Sequence, residues 1–101
     1  MLKKRFFKTK DDCEVTFEYA NENAQSVALV GGFNEWKPLL MKKSKKSGSP
    51  FRIKVRLPKE SQYQFRYFVD QTVWENDDGA DDYWSNEFGE SNSVVNTFTN
   101  S

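Results

Sequence analysis

A chain of 101 residues with 15 basic and 15 acidic side chains has the length of one domain with one core, and no net charge to gather nucleic acid or an anionic membrane. One cysteine, Cys13, excludes an internal disulfide and fits a reducing compartment, so the expected location is the cytoplasm; no apolar run reaches the length of a membrane span or a signal-peptide core. There is no histidine, so the commonest proton shuttle is missing and Cys13 has no imidazole to activate it; the chain is read as non-catalytic, with no cofactor and no metal.

Helical spacing of apolar residues is nearly absent, and alternation takes its place. After a first strand expected at 5–9, Val15, Phe17 and Tyr19 alternate with Glu14, Thr16 and Glu18, giving one dry face and one wet one. Phe51, Ile53, Val55 and Leu57 alternate with Arg52, Lys54 and Arg56; Tyr63, Phe65, Tyr67 and Val69 alternate with Gln64, Arg66, Phe68 and Asp70. Short strands are also expected at 27–30, 73–74 and 93–98, with turns at 21–23, 31–32, 44–50 and 58–61. About seven short half-buried strands read as an all-β, immunoglobulin-like (E-set) antiparallel β-sandwich, with residues 1–101 as a single domain.

The stretch Val27 to Trp36 stands out. An aliphatic run closes on Gly31-Gly32, where backbone freedom permits a sharp turn, and Phe33 and Trp36 follow directly. Two large aromatics three residues apart in a turn cannot both enter one core, so one is expected to face solvent. A tryptophan in a small domain is more often core than ligand platform, but Trp36 and Trp74 both sit just past strand ends, and Trp84 lies beside Tyr83 in an acidic loop. A flat apolar ring with a polar N–H edge suits a ligand that is apolar on its faces and hydroxylated at its rim.

Two charged clusters have blander readings. Lys42, Lys43, Lys45 and Lys46 could hold phosphates, but the run is short and has no interleaved aromatic, so a solvated hairpin loop is favoured and no nucleic-acid partner is expected. Glu75, Asp77, Asp78, Asp81 and Asp82 lack the spacing of a calcium loop; side chains bonding their own backbone are favoured there. Paired carboxylates can hydrolyse glycosides, but a small sandwich has little room for the deep cleft this needs.

Gly31 to Trp36, Tyr63 to Asp70, Trp74 and Asn86 to Val95, in that order, resemble carbohydrate-binding module family 48. The family includes the N-terminal domains of isoamylase-type enzymes and the glycogen-binding domain of the AMP-activated protein kinase β subunit, and the likeness spans about 15–95. It implies α-1,4-glucan (glycogen, starch, malto-oligosaccharides) as ligand, with Trp36 and Trp74 stacking on sugar rings. By position Arg66 and Asn92 would bond hydroxyls and Phe88 would insert into the curve of the glucan, with Asn34 and Glu90 as further candidates. Two departures stand out: one extra residue before Trp74, which would displace the second platform, and Glu90 where the family's kinase member has a glucan-bonding threonine. Many enzyme-attached members bind glucan poorly, so a rival expectation stands: exposed aromatics docking onto a separate glucan-metabolising enzyme or regulatory protein.

Overall fold

A computed structural model describes residues 1–43, 45–46 and 48–99. Parts of the turn expected at 44–50 therefore lie outside the described residues. Among those described, ten strands form two antiparallel sheets: β1 (Leu2–Phe6), β2 (Asp12–Tyr19), β3 (Val27–Gly31), β4 (Leu39–Leu40), β5 (Lys42–Lys43), β6 (Phe51–Pro58), β7 (Gln62–Val69), β8 (Val73–Glu75), β9 (Asp82–Ser85) and β10 (Ser91–Asn96). One sheet has the order β1-β2-β6-β5; the other runs β4-β3-β7-β10-β9, with β8 also paired to β7. This is the all-β sandwich that the alternation predicts.

The strand number departs from the expected seven because β4, β5 and β9 are too short to register as periodic runs. Two pairings suffice to make β4, where Ala28 and Leu29 face Leu40 and Leu39. The first strand also lies earlier than expected, at Leu2–Phe6, where it pairs with β2 from Leu2↔Phe17 to Phe6↔Cys13. Alternation is what packs the sheets. Val15 and Phe17 of β2, Leu57 of β6, Leu29 of β3, Phe65 and Tyr67 of β7 and Val95 of β10 meet in one core. Its centre is aromatic: the Phe17 and Phe65 rings cross at 74° with centroids 5.0 Å apart, and Phe65 meets Tyr67 at 5.7 Å. Edge-to-face contacts of this kind add to the area that the rings bury.

The acidic loop bonds its own backbone as expected, the Gly79 N–H donating to Asp77 and the Tyr83 N–H to Asp82, but one of its carboxylates is not at the surface. Asp77 is buried, and its carboxylate accepts hydrogen bonds from the Tyr67 hydroxyl at 2.6 Å and the Gly79 N–H at 2.7 Å, with the Met1 α-ammonium 2.5 Å away. Its own N–H donates to Ser93 Oγ. A buried carboxylate is tolerable only when so engaged, and it ties the connection after β8 to β7 and β10. Burial first, then the bond to Asp77, pushes the Tyr67 phenol up from its ordinary value.

On the outer face of the other sheet, Glu18 accepts from Arg52 Nε at 2.7 Å and has Lys3 Nζ 3.4 Å away. Burial alone would raise its carboxyl; the bonds from Arg52 and Lys3 outweigh that and hold it below the ordinary value of 4.5. A depressed carboxyl contributes stability present above its unfolded value and lost as pH falls through the folded one. Urea titrations between neutral pH and pH 3 are therefore expected to show a loss of stability that is smaller in Glu18→Gln. At neutral pH, Phe65→Ala is expected to cost about 3–5 kcal/mol.

Candidate functional site

The wet face of β7 carries Gln64, Arg66 and Phe68, between the inward Phe65, Tyr67 and Val69. Around this outer face the six-stranded sheet gathers side chains from three separate turns. Trp36, Arg66, Trp74, Asn86, Glu87, Phe88 and Asn92 line one open depression of about 350 Å³. Trp36 is 41% exposed and Trp74 45%.

Trp36 is held by a turn that closes on itself. A short 3-10 turn spans Gly32–Asn34, the Trp36 N–H donates to the Gly31 carbonyl at 2.9 Å, and Asn34 Nδ2 donates to the Lys37 carbonyl at 2.8 Å. Asn34 thus serves the turn itself. The expected backbone role of the glycine pair is corrected: Gly31 is extended, with φ −157°, and the left-handed angles fall on Glu35 (φ 63°) and Trp36 (φ 62°). What Gly31 supplies is space. A Cβ there would meet the Phe33 ring at 2.3 Å, whereas one on Gly32 would stand 3.7 Å from Trp36 Nε1, in ordinary contact. Phe33 can therefore fold back over Gly31 against Phe17 (5.8 Å) and Tyr63 (6.2 Å), while Trp36 stays outside.

Trp74 reaches the same face through the β7–β8 hairpin. Asp70 and Gln71 both take positive φ, 50° and 58°, the sign of the primed hairpin turns, and the Asp70 carboxylate accepts from the Gln25 and Ser26 N–H groups. The extra residue before Trp74 falls in this loop, between Val69 and Val73. Register then sets Trp74 opposite Phe68, whose ring stacks on the indole at 4.3 Å and 25°. Arg66 lies alongside, its guanidinium carbon 5.9 Å from the Trp74 ring and Nη1 3.0 Å from Glu90 Oε2. Arg66 Nε is buried and has no hydrogen-bond partner among the described residues.

The third contribution is the hairpin between β9 and β10. Asn86 Oδ1 accepts from the Phe88 and Glu90 N–H groups, and Gly89 takes φ 77°. This small Asx-type loop leaves Phe88 80% exposed at its tip. Asn92, which the resemblance gives a hydroxyl-bonding role, is only 9% exposed, donating from Nδ2 to Gln64 Oε1 at 3.1 Å and accepting from Asn86 Nδ2 at 3.4 Å. Asn86, Gln64 and Phe68 were not singled out from the sequence, although the period of two along β7 places the last two on the outer face.

The family model for the glycogen recognition site of AMP-activated protein kinase matches residues 13–100. The chain belongs to that family. Comparison with curated proteins gives no match. Within this carbohydrate-binding family, which is a class of non-catalytic module, the outer face of the six-stranded sheet is the candidate site. A larger depression of about 590 Å³, near Leu40, Lys42, Lys43, Pro50, Arg52 and Lys54, contains none of the residues that carry the resemblance.

The two glycines are expected to behave differently. Gly31→Ala forces the Phe33 ring to move and should cost roughly 1–3 kcal/mol with a shift in tryptophan emission; Gly32→Ala should leave both nearly unchanged.

Proposed function

We propose that this domain binds α-1,4-linked glucan, as glycogen, starch or malto-oligosaccharide, in a shallow surface site and without catalysis. The observation that carries the reading is the gathering of two exposed indoles, Trp36 and Trp74, with a guanidinium and amides around one open depression on a chain of a glycogen-recognition family. A pyranose has apolar faces bearing C–H bonds and a rim of hydroxyls. Indole rings take the faces by stacking, and the donors of Arg66 and Asn92 take the rim.

Support for each role comes from how the side chain is held. Phe68 backs Trp74, and the closed turn at Gly31–Lys37 fixes Trp36, so little ordering of the protein is left for binding to accomplish. Glu90, ion-paired to Arg66, adds a carboxylate acceptor for sugar O–H groups, and Phe88 offers an apolar tip for the inside of a curved chain. Asn86 joins the set as the residue that orients both Asn92 and the Phe88 loop. Two stacking rings and few hydrogen bonds give weak to moderate affinity, because a flexible oligosaccharide must still be ordered.

Trp36→Ala and Trp74→Ala are each expected to abolish co-sedimentation with glycogen while leaving the thermal transition within a few degrees of the parent. Arg66→Ala should weaken it by about tenfold. Wild-type protein whose tryptophan emission ignores millimolar maltoheptaose would overturn the reading and favour the same aromatics docking on a protein partner.

A further inference from the structure

The sequence places Trp84 in an acidic loop; the structure puts it in β9, the outer strand of the six-stranded sheet. Its partner in the register is Asn92. Directly opposed residues share a face, and Asn92 is on the outer face, since the next residue, Ser93, points inward opposite Phe65. Trp84 is therefore on the same face of the sheet as Trp36 and Trp74, although it does not line the depression that they form.

We infer that Trp84 is a third sugar-stacking platform, which extends the glucan site across the sheet and makes it select longer chains. The inference rests on the proposed glucan binding. Outward groups link the depression to Trp84: Arg66 of β7 and Asn92 of β10 both line it, Asn92 bonds Gln64 of β7, and Trp84 of β9 stands opposite Asn92. At roughly 4.8 Å between neighbouring strands, β9 lies about 10 Å from β7, so a ligand reaching from the depression over Trp84 is a short oligosaccharide rather than one ring.

Three features suit Trp84 to this role. It is half-buried, and its Nε1 donates to Asp82 Oδ2 at 3.2 Å, so the ring's edge is pinned. No strand pairs with β9 on its far side among the described residues, so nothing in the sheet bars a chain from passing over it. Between the indole and the depression stands Asn92, an amide that keeps one N–H and one lone pair beyond its bonds to Gln64 and Asn86. A purely structural role for Trp84 is also definable: Val94 faces outward on β10 yet is fully buried, and Trp84 is its diagonal neighbour in the register.

The test is a chain-length series. Wild-type protein and Trp84→Ala are titrated with maltotriose and maltoheptaose by calorimetry, with Trp84→Leu, which keeps apolar cover over Val94 without a ring, and Trp84→Phe, which keeps a ring. Melting curves report folding of each. The expected result is unchanged maltotriose affinity in all four proteins, about a tenfold loss for maltoheptaose in Trp84→Ala and Trp84→Leu, and partial recovery in Trp84→Phe. Should the Ala variant not fold, the Leu and Phe pair decides alone. Equal maltoheptaose affinity in wild type and Trp84→Leu, or equal losses for both sugars, overturns the extension and leaves Trp84 as packing. Wild-type protein that binds neither sugar overturns the glucan reading itself, a result distinct from both.

Discussion

The side-chain alternation of β7 is the constraint on which the rest of the molecule depends. Phe65, Tyr67 and Val69 point one way and close the core against the four-stranded sheet; Gln64, Arg66 and Phe68 point the other way and become the floor and walls of the outer face. A strand that slipped by one residue would exchange the two sets, burying a guanidinium and exposing the aromatic centre. Register is therefore fixed by the core, and the geometry of the outer face follows from it. Pairing to β3 on one side and to β10 and β8 on the other leaves β7 no freedom to shift.

Around that fixed strand, the site joins strand residues, Arg66, Trp74 and Asn92, to Trp36 and Phe88 from turns, and the turns set how they meet. Each turn is held by its own local device: space over Gly31 for the Phe33 ring, two left-handed residues before β8, an Asx-type loop at Asn86. Left-handed angles at Glu35, Trp36, Asp70 and Gln71 are unfavourable for residues with a Cβ, and they persist because hydrogen bonds and ring contacts close around them. They occur beside the two exposed indoles. Rigid loops on a rigid sheet are how a shallow surface can present apolar rings to solvent without their collapsing onto each other.

Polar groups in this protein are organised to the same end. Asp77 is enclosed with the Met1 ammonium, the Tyr67 hydroxyl and the Gly79 N–H, so the acidic segment after β8 is anchored to the core. Asn76 in the same segment donates to the Ser91 carbonyl and accepts from Ser93, which stitches the end of β8 to the start of β10. Trp74 and Asn92 are in this way attached to one unit. The pairing of Arg66 with Glu90 connects β7 to the Phe88 loop at the surface, where such a pair positions more than it stabilises.

What the sequence determined by itself was the class of fold and the family, because a period of two and the order of the Gly-Gly-Phe-Asn-Glu-Trp and Asn-Glu-Phe-Gly motifs are properties of the chain read in line. It also required one of Phe33 and Trp36 to face solvent, on the ground that one turn cannot bury both, and the family resemblance pointed to Trp36. The rest came only with tertiary structure. Asp77 reads as one more loop carboxylate until β7 and the N-terminus close over it; that Gln64 and Asn86 bond the Asn92 amide has no mark in the sequence. Trp84 gave no strand signal because β9 is four residues long and gains its register from β10. Periodicity records which face of an element a side chain takes, but which faces meet depends on pairings between residues far apart in the chain, and those pairings brought the three turns to one side of the sheet.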